Sequence, residues 1–249
     1  MVCFGVIGND IRMKYLYESL RMDGYNTRFA TPDGADALIC DCDVIILPVN
    51  SEELAKKCCG KTVFGGFVND TPEVLDAKVY NYLTNNCYTV KNALATAEGA
   101  IAVAMNNTDS LICNRRIAIT GYGNIAKVLT KMLLSLGCDV TVCARNELQR
   151  ANAEVIGAKV CDINALPLVC PDIIFNTVPA TVIKQGTLSV LSDDAIIVEL
   201  ASAPGGIDKE VAARLGVTVI SAQGLPGKYA PKYAGEILKE AILSMYKGV

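Results

Sequence analysis

No histidine and no tryptophan occur among the 249 residues, and the aromatic share is only 6%. The missing histidine excludes Ser-His and Cys-His nucleophile pairs, histidine-based zinc sites and the commonest general base of dehydrogenases. Chemistry here must run on carboxylates, Lys, Arg, Tyr, Cys, backbone amides or a cofactor. Charge is also scarce, at 20% of residues, with Lys+Arg 23 against Asp+Glu 26. A net charge of −3 without any Lys/Arg cluster leaves no electrostatic footprint for nucleic acid. No apolar run approaches the ~18–20 residues of a membrane span, so no membrane partner is expected. The opening MVCFGVIGND has no basic stretch followed by a long apolar one, which argues against a secretory signal and for a cytoplasmic location. The 11 cysteines include no C-x-x-C, and without histidine no mixed zinc set can form. They read as small core residues in a reducing compartment, and no metal is expected.

What the chain does have is a 51% hydrophobic content, arranged as short β-branched runs alternating with helical stretches. That alternation predicts parallel α/β architecture in two units. In the first, strands are expected at Cys3–Ile7, Thr27–Ala30, Val44–Leu47, Val63–Phe67 and Thr89–Val90, with helices at Asp10–Met22 and Ser51–Cys58. A small-residue helix, LATAEGAIAVAM (Leu94–Met105), links to the second unit, whose strands are expected at Arg116–Thr120, Val140–Ala144, Ile173–Asn176, Ile196–Leu200 and Val217–Ile220. The expected division is a small N-terminal parallel α/β domain over 1–91, a linker helix over 92–109 and a Rossmann dinucleotide-binding domain over 110–232. An amphipathic helix within 233–249, with Ile237, Leu238, Ala241, Ile242 and Met245 on one face, would complete the first domain.

The segment RRIAITGYGNIAKVLTKMLLSLGCDVTVCAR reads as strand, Gly121-x-Gly123-x-x-Ala126, helix, Gly137, strand. The glycines permit a tight turn and close backbone approach to a pyrophosphate, and Ala126 suits helix–strand contact. The helix N-terminus, at Asn124 and Ile125, would present free N–H groups to phosphates. NAD enzymes place an acid at the end of the second strand, whereas this chain has Ala144-Arg145-Asn146 and no acid until Glu147. A guanidinium at Arg145 suits a 2′-phosphate, so NADP is the expected cofactor, with NAD left open. Loops after later strands, Thr177-Val178-Pro179, Ala201-Ser202 and Gly224-Leu225-Pro226, belong to the same sheet edge and complete the candidate cofactor set.

The stretches NALATAEGAIAVAMNNTD, VELASAPGGID and QGLPGKYAPKYAGEIL together resemble the dipicolinate synthase A-subunit family. Gly8-Asn9-Asp10 with Arg12 is similar to that family's GGDxR turn, although Asn9 replaces a glycine and Ala95 replaces a proline further on. The region between Pro48 and Thr71 is compressed. The resemblance implies NADP-dependent oxidation of a dihydrodipicolinate-type ring, an intermediate of the lysine pathway, to the aromatic pyridine. It also implies a partner, a flavoprotein-like B subunit, with the reaction taking place in the mother-cell cytoplasm of a sporulating bacterium; a homodimer is left open. Two ring carboxylates would need cations, for which Arg12 and Lys232 are the candidates. Glu98, on the small-residue helix, is the candidate proton acceptor if burial raises its pKa. Two other readings stay open: an NADP-dependent dehydrogenase of shikimate- or alanine-dehydrogenase type, and a non-catalytic NAD(P)-binding protein that senses redox state as part of a larger complex.

Overall fold

The computed structural model describes residues 1–67 and 71–247. Residues 68–70, inside the stretch expected to be compressed, and 248–249, at the end of the C-terminal helical segment, lie outside the described residues. The chain divides into two compact units, Met1–Asn92 with Pro226–Val249, and Ala93–Leu225. In chain order the first part carries β1 (Cys3–Ile7), α1 (Ile11–Met22), β2 (Asn26–Ala30), α2 (Ala35–Asp41), β3 (Val44–Val49), α3 (Glu52–Lys56), β4 (Thr62–Gly66) and β5 (Lys78–Asn81). The long α4 (Asn86–Asn106) follows, then β6 (Arg116–Thr120), α5 (Asn124–Ser135), β7 (Asp139–Cys143), α6 (Glu147–Val155) and β8 (Lys159–Cys161). The remainder is α7 (Leu166–Val169), β9 (Ile173–Asn176), α8 (Gln185–Leu188), β10 (Ile196–Glu199), α9 (Lys209–Arg214), β11 (Thr218–Ser221), α10 (Leu225–Tyr229) and α11 (Pro231–Lys247).

Both sheets are wholly parallel, as the alternation of strand and helix patterns requires. The first runs β2-β1-β3-β4-β5 and the second β11-β10-β9-β6-β7-β8. Each order reverses once, between β1 and β3 in the first sheet and between β6 and β9 in the second. In open sheets of this kind ligands bind beyond the strand C-termini at that reversal. The loops leading out of β1 and β6 are therefore the places to look.

In the first unit α1 is held at its start by Asp10, whose carboxylate accepts from Met13 N at 3.0 Å. Its buried face, Met13, Leu16 and Leu20, meets Ile237, Leu238, Ala241 and Ile242 of α11. The two helices come close at Gly235, where a Cβ would lie 2.8 Å from Leu16 N and 2.9 Å from Arg12 O. Any larger residue there would force the pair apart. In the second unit one sheet face packs on α5 through Ala126, Leu129 and Leu133, and the other collects Leu166, Ile183, Leu188 and Ile207.

One expected element is corrected. Thr89–Val90 is not a strand but part of α4, and the fifth strand of the first sheet is Lys78–Asn81. The Asn85 side chain accepts from Tyr88 N at 3.0 Å, which starts the helix before the β-branched pair is reached. The short elements α2, α6, α7, α8, α9, α10 and β8 carry too few residues to show a clear period and are not anticipated from the sequence. The helix expected from Leu94 starts eight residues earlier, at Asn86, and the other matched boundaries shift by a residue or two.

Candidate functional site

The second unit's reversal point is built by the β6–α5 turn. Gly121 takes φ 79° and donates its N–H to Cys143 O, and a Cβ on it would lie 2.8 Å from Val178 Cγ2. Gly123 caps α5 with no side-chain hydrogen bond, is exposed, and a Cβ on it would meet nothing within 4 Å. The first-turn N–H groups of Asn124 and Ile125 have no partner within the helix by geometry, and no capping side chain takes them. This open, positively polarised helix end fits a pyrophosphate.

Three loops beside it are locked by one buried polar lattice. Thr120 Oγ1 donates to Asn176 Oδ1, and Asn176 Nδ2 donates to Val178 O (3.1 Å) and to Glu199 Oε1 (2.6 Å). Glu199, only 4% exposed, also accepts from Ala201 N at 3.0 Å and Gly206 N at 2.9 Å. Thr177 Oγ1 donates to Thr120 O at 2.7 Å, and Gln223 Nε2 to Ala201 O at 3.2 Å. The ends of β6, β9 and β10 are thus tied together through side chains, with the Glu199 carboxylate accepting from three donors. Of the expected cofactor residues, Thr177, Val178 and Ala201 sit in this lattice, and Pro179 and Ser202 are exposed beside it. Gly224 is exposed with φ 69°, whereas Leu225 is 1% exposed and packs in the core with Leu200 and Ala222. Pro226, in the first unit, is buried.

At the end of β7, Arg145 is exposed and carries no ion pair among the described residues. Asn146 is the N-cap of α6, its side chain accepting from Gln149 N at 3.0 Å. Its side-chain oxygen is therefore committed to the helix. Sequence reasoning missed Arg150, whose Nη1 donates to Ala144 O (2.7 Å) and Arg145 O (2.8 Å) and reaches Asp162 Oδ2 at 3.4 Å. Arg150 fixes the turn that carries Arg145 and occupies Asp162. A cavity of about 150 Å³ opens between Arg145, Ile163 and Pro167 on one side and Thr181, Val182 and Lys184 on the other.

The reversal point of the first unit carries Arg12. Its side chain is 14% exposed, Nη2 donates to Asp10 Oδ2 at 3.0 Å, and the buried Nε has no hydrogen-bond partner. Tyr82 and Tyr88 stand beside it, their rings 5.5 Å apart at 73°. Burial pushes both phenols up, and the Arg12 guanidinium draws each back down. Tyr82 OH donates to Leu47 O at 3.2 Å. The Arg12 guanidinium thus stands half enclosed by two phenols, with Asp10 as its ion-pair partner. The two tyrosines were missed because buried aromatics read as core; nothing in their spacing points to Arg12.

Glu98 and Lys232 are both exposed, the first on α4 and the second in the first turn of α11. The burial expected to tune Glu98 is thus not found, since α4 turns Ala97, Ala100 and Ala104 inward instead. Among the described residues the buried carboxylate is Glu199, and it serves the lattice.

A glycine turn at the reversal of a doubly wound parallel sheet, opening on a free helix end, defines a dehydrogenase-type dinucleotide-binding domain. The family model for "D-isomer specific 2-hydroxyacid dehydrogenase, NAD binding domain" matches residues 90–221, more than half of the chain, and the chain belongs to that family. The cofactor class is accordingly a nicotinamide dinucleotide. Among characterised proteins the chain is similar to the A subunit of dipicolinate synthase of Bacillus subtilis (strain 168), being 31% identical to it over 186 residues. The match spans 72% of this chain and 63% of that relative's length. The crystal structure of the dipicolinate synthase A subunit from Bacillus halodurans superposes with a TM-score of 0.84 at 23% identity, covering 98% of this chain and 97% of the other. A transhydrogenase from Sinorhizobium meliloti follows at TM-score 0.73 and 13% identity, covering 99% of this chain and 93% of the other. These likenesses establish the two-sheet fold. Among the described residues no helix is long and apolar enough to cross a membrane.

Proposed function

We propose that the chain is the A subunit of a dipicolinate synthase, oxidising a dihydrodipicolinate-type ring with NADP as hydride acceptor. The observation that carries this reading is the 31% identity with a dipicolinate synthase A subunit, on a chain whose own turn and helix end fit the dinucleotide. The bound nicotinamide supplies the oxidation: the ring gives up a hydride and a proton and becomes an aromatic pyridine, leaving reduced dinucleotide and H⁺.

The chain's own residues then bind and orient. On the second unit the amides of Asn124 and Ile125 take the pyrophosphate, and the Thr120–Asn176–Glu199 lattice fixes the loops carrying Thr177, Val178, Pro179, Ala201 and Ser202. On the first unit Arg12, with its unpartnered Nε, takes a ring carboxylate, and Lys232 supplies a second cation. Glu98, exposed, passes the ring proton to water. Because aromatisation favours the products, positioning suffices without a strong base. Arg145 favours NADP over NAD through the 2′-phosphate. The partner is a flavoprotein-like B subunit.

The test is oxidation of freshly generated dihydrodipicolinate by the purified chain with NADP⁺, with and without the B subunit, following NADPH and dipicolinate. Turnover that needs the B subunit supports the proposal, and Arg12→Met should raise KM at least about tenfold, the worth of one charge-assisted pair. Tight dinucleotide binding with no turnover in the presence of both proteins refutes it in favour of a sensing role.

A further inference from the structure

The cavity beside Arg145 has a second cationic wall that no motif marks. Lys184 follows the segment Thr181-Val182-Ile183 and precedes α8. Its backbone is held from both sides. Val182 N and Ile183 N both donate to Gly206 O (3.0 and 2.9 Å), and Lys184 O accepts from Thr187 N and Leu188 N at 2.9 and 3.0 Å. Ile183 also pairs with Ile207 in a parallel bridge. Thus the same loop that Glu199 anchors through Gly206 N also sets where Lys184 stands. Like Arg145, Lys184 is exposed and has no carboxylate partner among the described residues. Asp162, the acid nearest the cavity-lining residues Ile163 and Asn164 in sequence, is taken by Arg150. Ile163, Pro167 and Val182 give the same cavity apolar walls of the kind a purine ring packs against.

We propose that Lys184 is a specificity-determining residue: with Arg145 it forms a two-cation seat for the 2′-phosphate of NADP, at the mouth of an adenine-binding cavity. This rests on the reading of NADP as the cofactor and adds to it a residue outside the glycine motif and the β7 terminus. The physical ground is charge balance. A 2′-phosphate carries close to two negative charges at neutral pH, so one guanidinium leaves it under-compensated, and a free ammonium on a clamped backbone completes the pairing.

The test is equilibrium binding, independent of turnover. NADPH and NADH are titrated by fluorescence against the full chain and its Lys184→Met, Lys184→Arg, Arg145→Met and Lys159→Met variants. Lys159, at the opposite end of β8 and paired with Asp139, controls for a general loss of positive charge. The expected result is that Lys184→Met weakens NADPH about tenfold while NADH stays within about twofold, that Lys184→Arg restores most of it, and that Lys159→Met changes neither. Equal weakening of both nucleotides, or no change in NADPH, overturns the proposal. A wild-type preference for NADPH that survives Lys184→Met removes Lys184 alone. No wild-type preference removes the NADP reading, and the proposal falls with it.

Discussion

The polar lattice makes a sharp demand on Glu199, and Glu199→Gln is the smallest change that tests it. The carboxylate accepts three hydrogen bonds, from Asn176 Nδ2 and Ala201 N on Oε1 and from Gly206 N on Oε2. A glutamine has one acceptor oxygen. Its best placement keeps the oxygen toward Asn176 and Ala201 and turns the NH₂ against Gly206 N, leaving that buried donor unpaired at a cost of about 1–3 kcal/mol. The two remaining bonds lose their charge assistance, about another 0.5–1 kcal/mol each. Reorienting Asn176 brings no relief, because its Oδ1 already accepts from Thr120 Oγ1 and Val178 N while its Nδ2 serves Val178 O. The expected loss is about 3 kcal/mol, a large part of the ~5–15 kcal/mol that holds a typical domain. It should appear as a lower urea midpoint at unchanged slope for the second unit. Amide exchange should accelerate at Ala201 and Gly206, and dinucleotide binding should weaken with the loosened loops. A loss below about 1 kcal/mol with unchanged exchange at both amides would refute the claim that this carboxylate locks the loops.

The glycine turn separates folding from binding. Gly121→Ala, at φ 79° and 2.8 Å from Val178 Cγ2, should cost about 1–3 kcal/mol in denaturant unfolding. Gly123→Ala meets no protein atom and should unfold like the wild type, yet weaken dinucleotide at least about tenfold in a titration, because its Cβ occupies the phosphates' approach. Normal binding by Gly123→Ala would move the pyrophosphate elsewhere. In the acid range, hydrogen bonding from Arg116 holds the Asp172 carboxyl below its ordinary value. A depressed folded pKa gives stability that is present above the unfolded value near 4 and lost as pH falls through the folded one. Arg116 is half exposed, so the pair is screened to on the order of 0.5–1 kcal/mol. Asp172→Asn should therefore be slightly less stable than wild type at pH 7, and the gap should close below pH 4; a gap that widens in acid would contradict the assignment.

How legible these features were depended on how far apart their residues lie in the chain. The parallel sheets and the Gly121–Ala126 turn could be read because their signals are local: β-branched runs, a glycine pair, a helix period. Thr89–Val90 misled because strand propensity over two residues competes poorly with a helix already started by Asn85. Arg12 is visible just after the turn that follows β1, but the phenols that enclose it arrive some seventy residues later, from Tyr82 and Tyr88. Asn146 and Glu98 show the converse: what the sequence could not show is that the Asn146 side-chain oxygen caps α6 and that Glu98 faces water. Lys184 belongs to no pattern at all; only the fold brings it to the wall of the cavity that Arg145 shares.

The absence of histidine, at first an exclusion, bears on how the site keeps its shape. A dehydrogenase that relies on an imidazole carries a group titrating within the working pH range, and its site geometry shifts with protonation. Here the loops around the cofactor seat are fixed by a hydroxyl, a carboxamide, main-chain amides and one carboxylate. Such a frame sets the loops without an imidazole. That accords with the proposed oxidation to an aromatic product, where the proton leaves without strong assistance, better than with an alcohol oxidation, where the hydroxyl proton must be taken as the hydride departs.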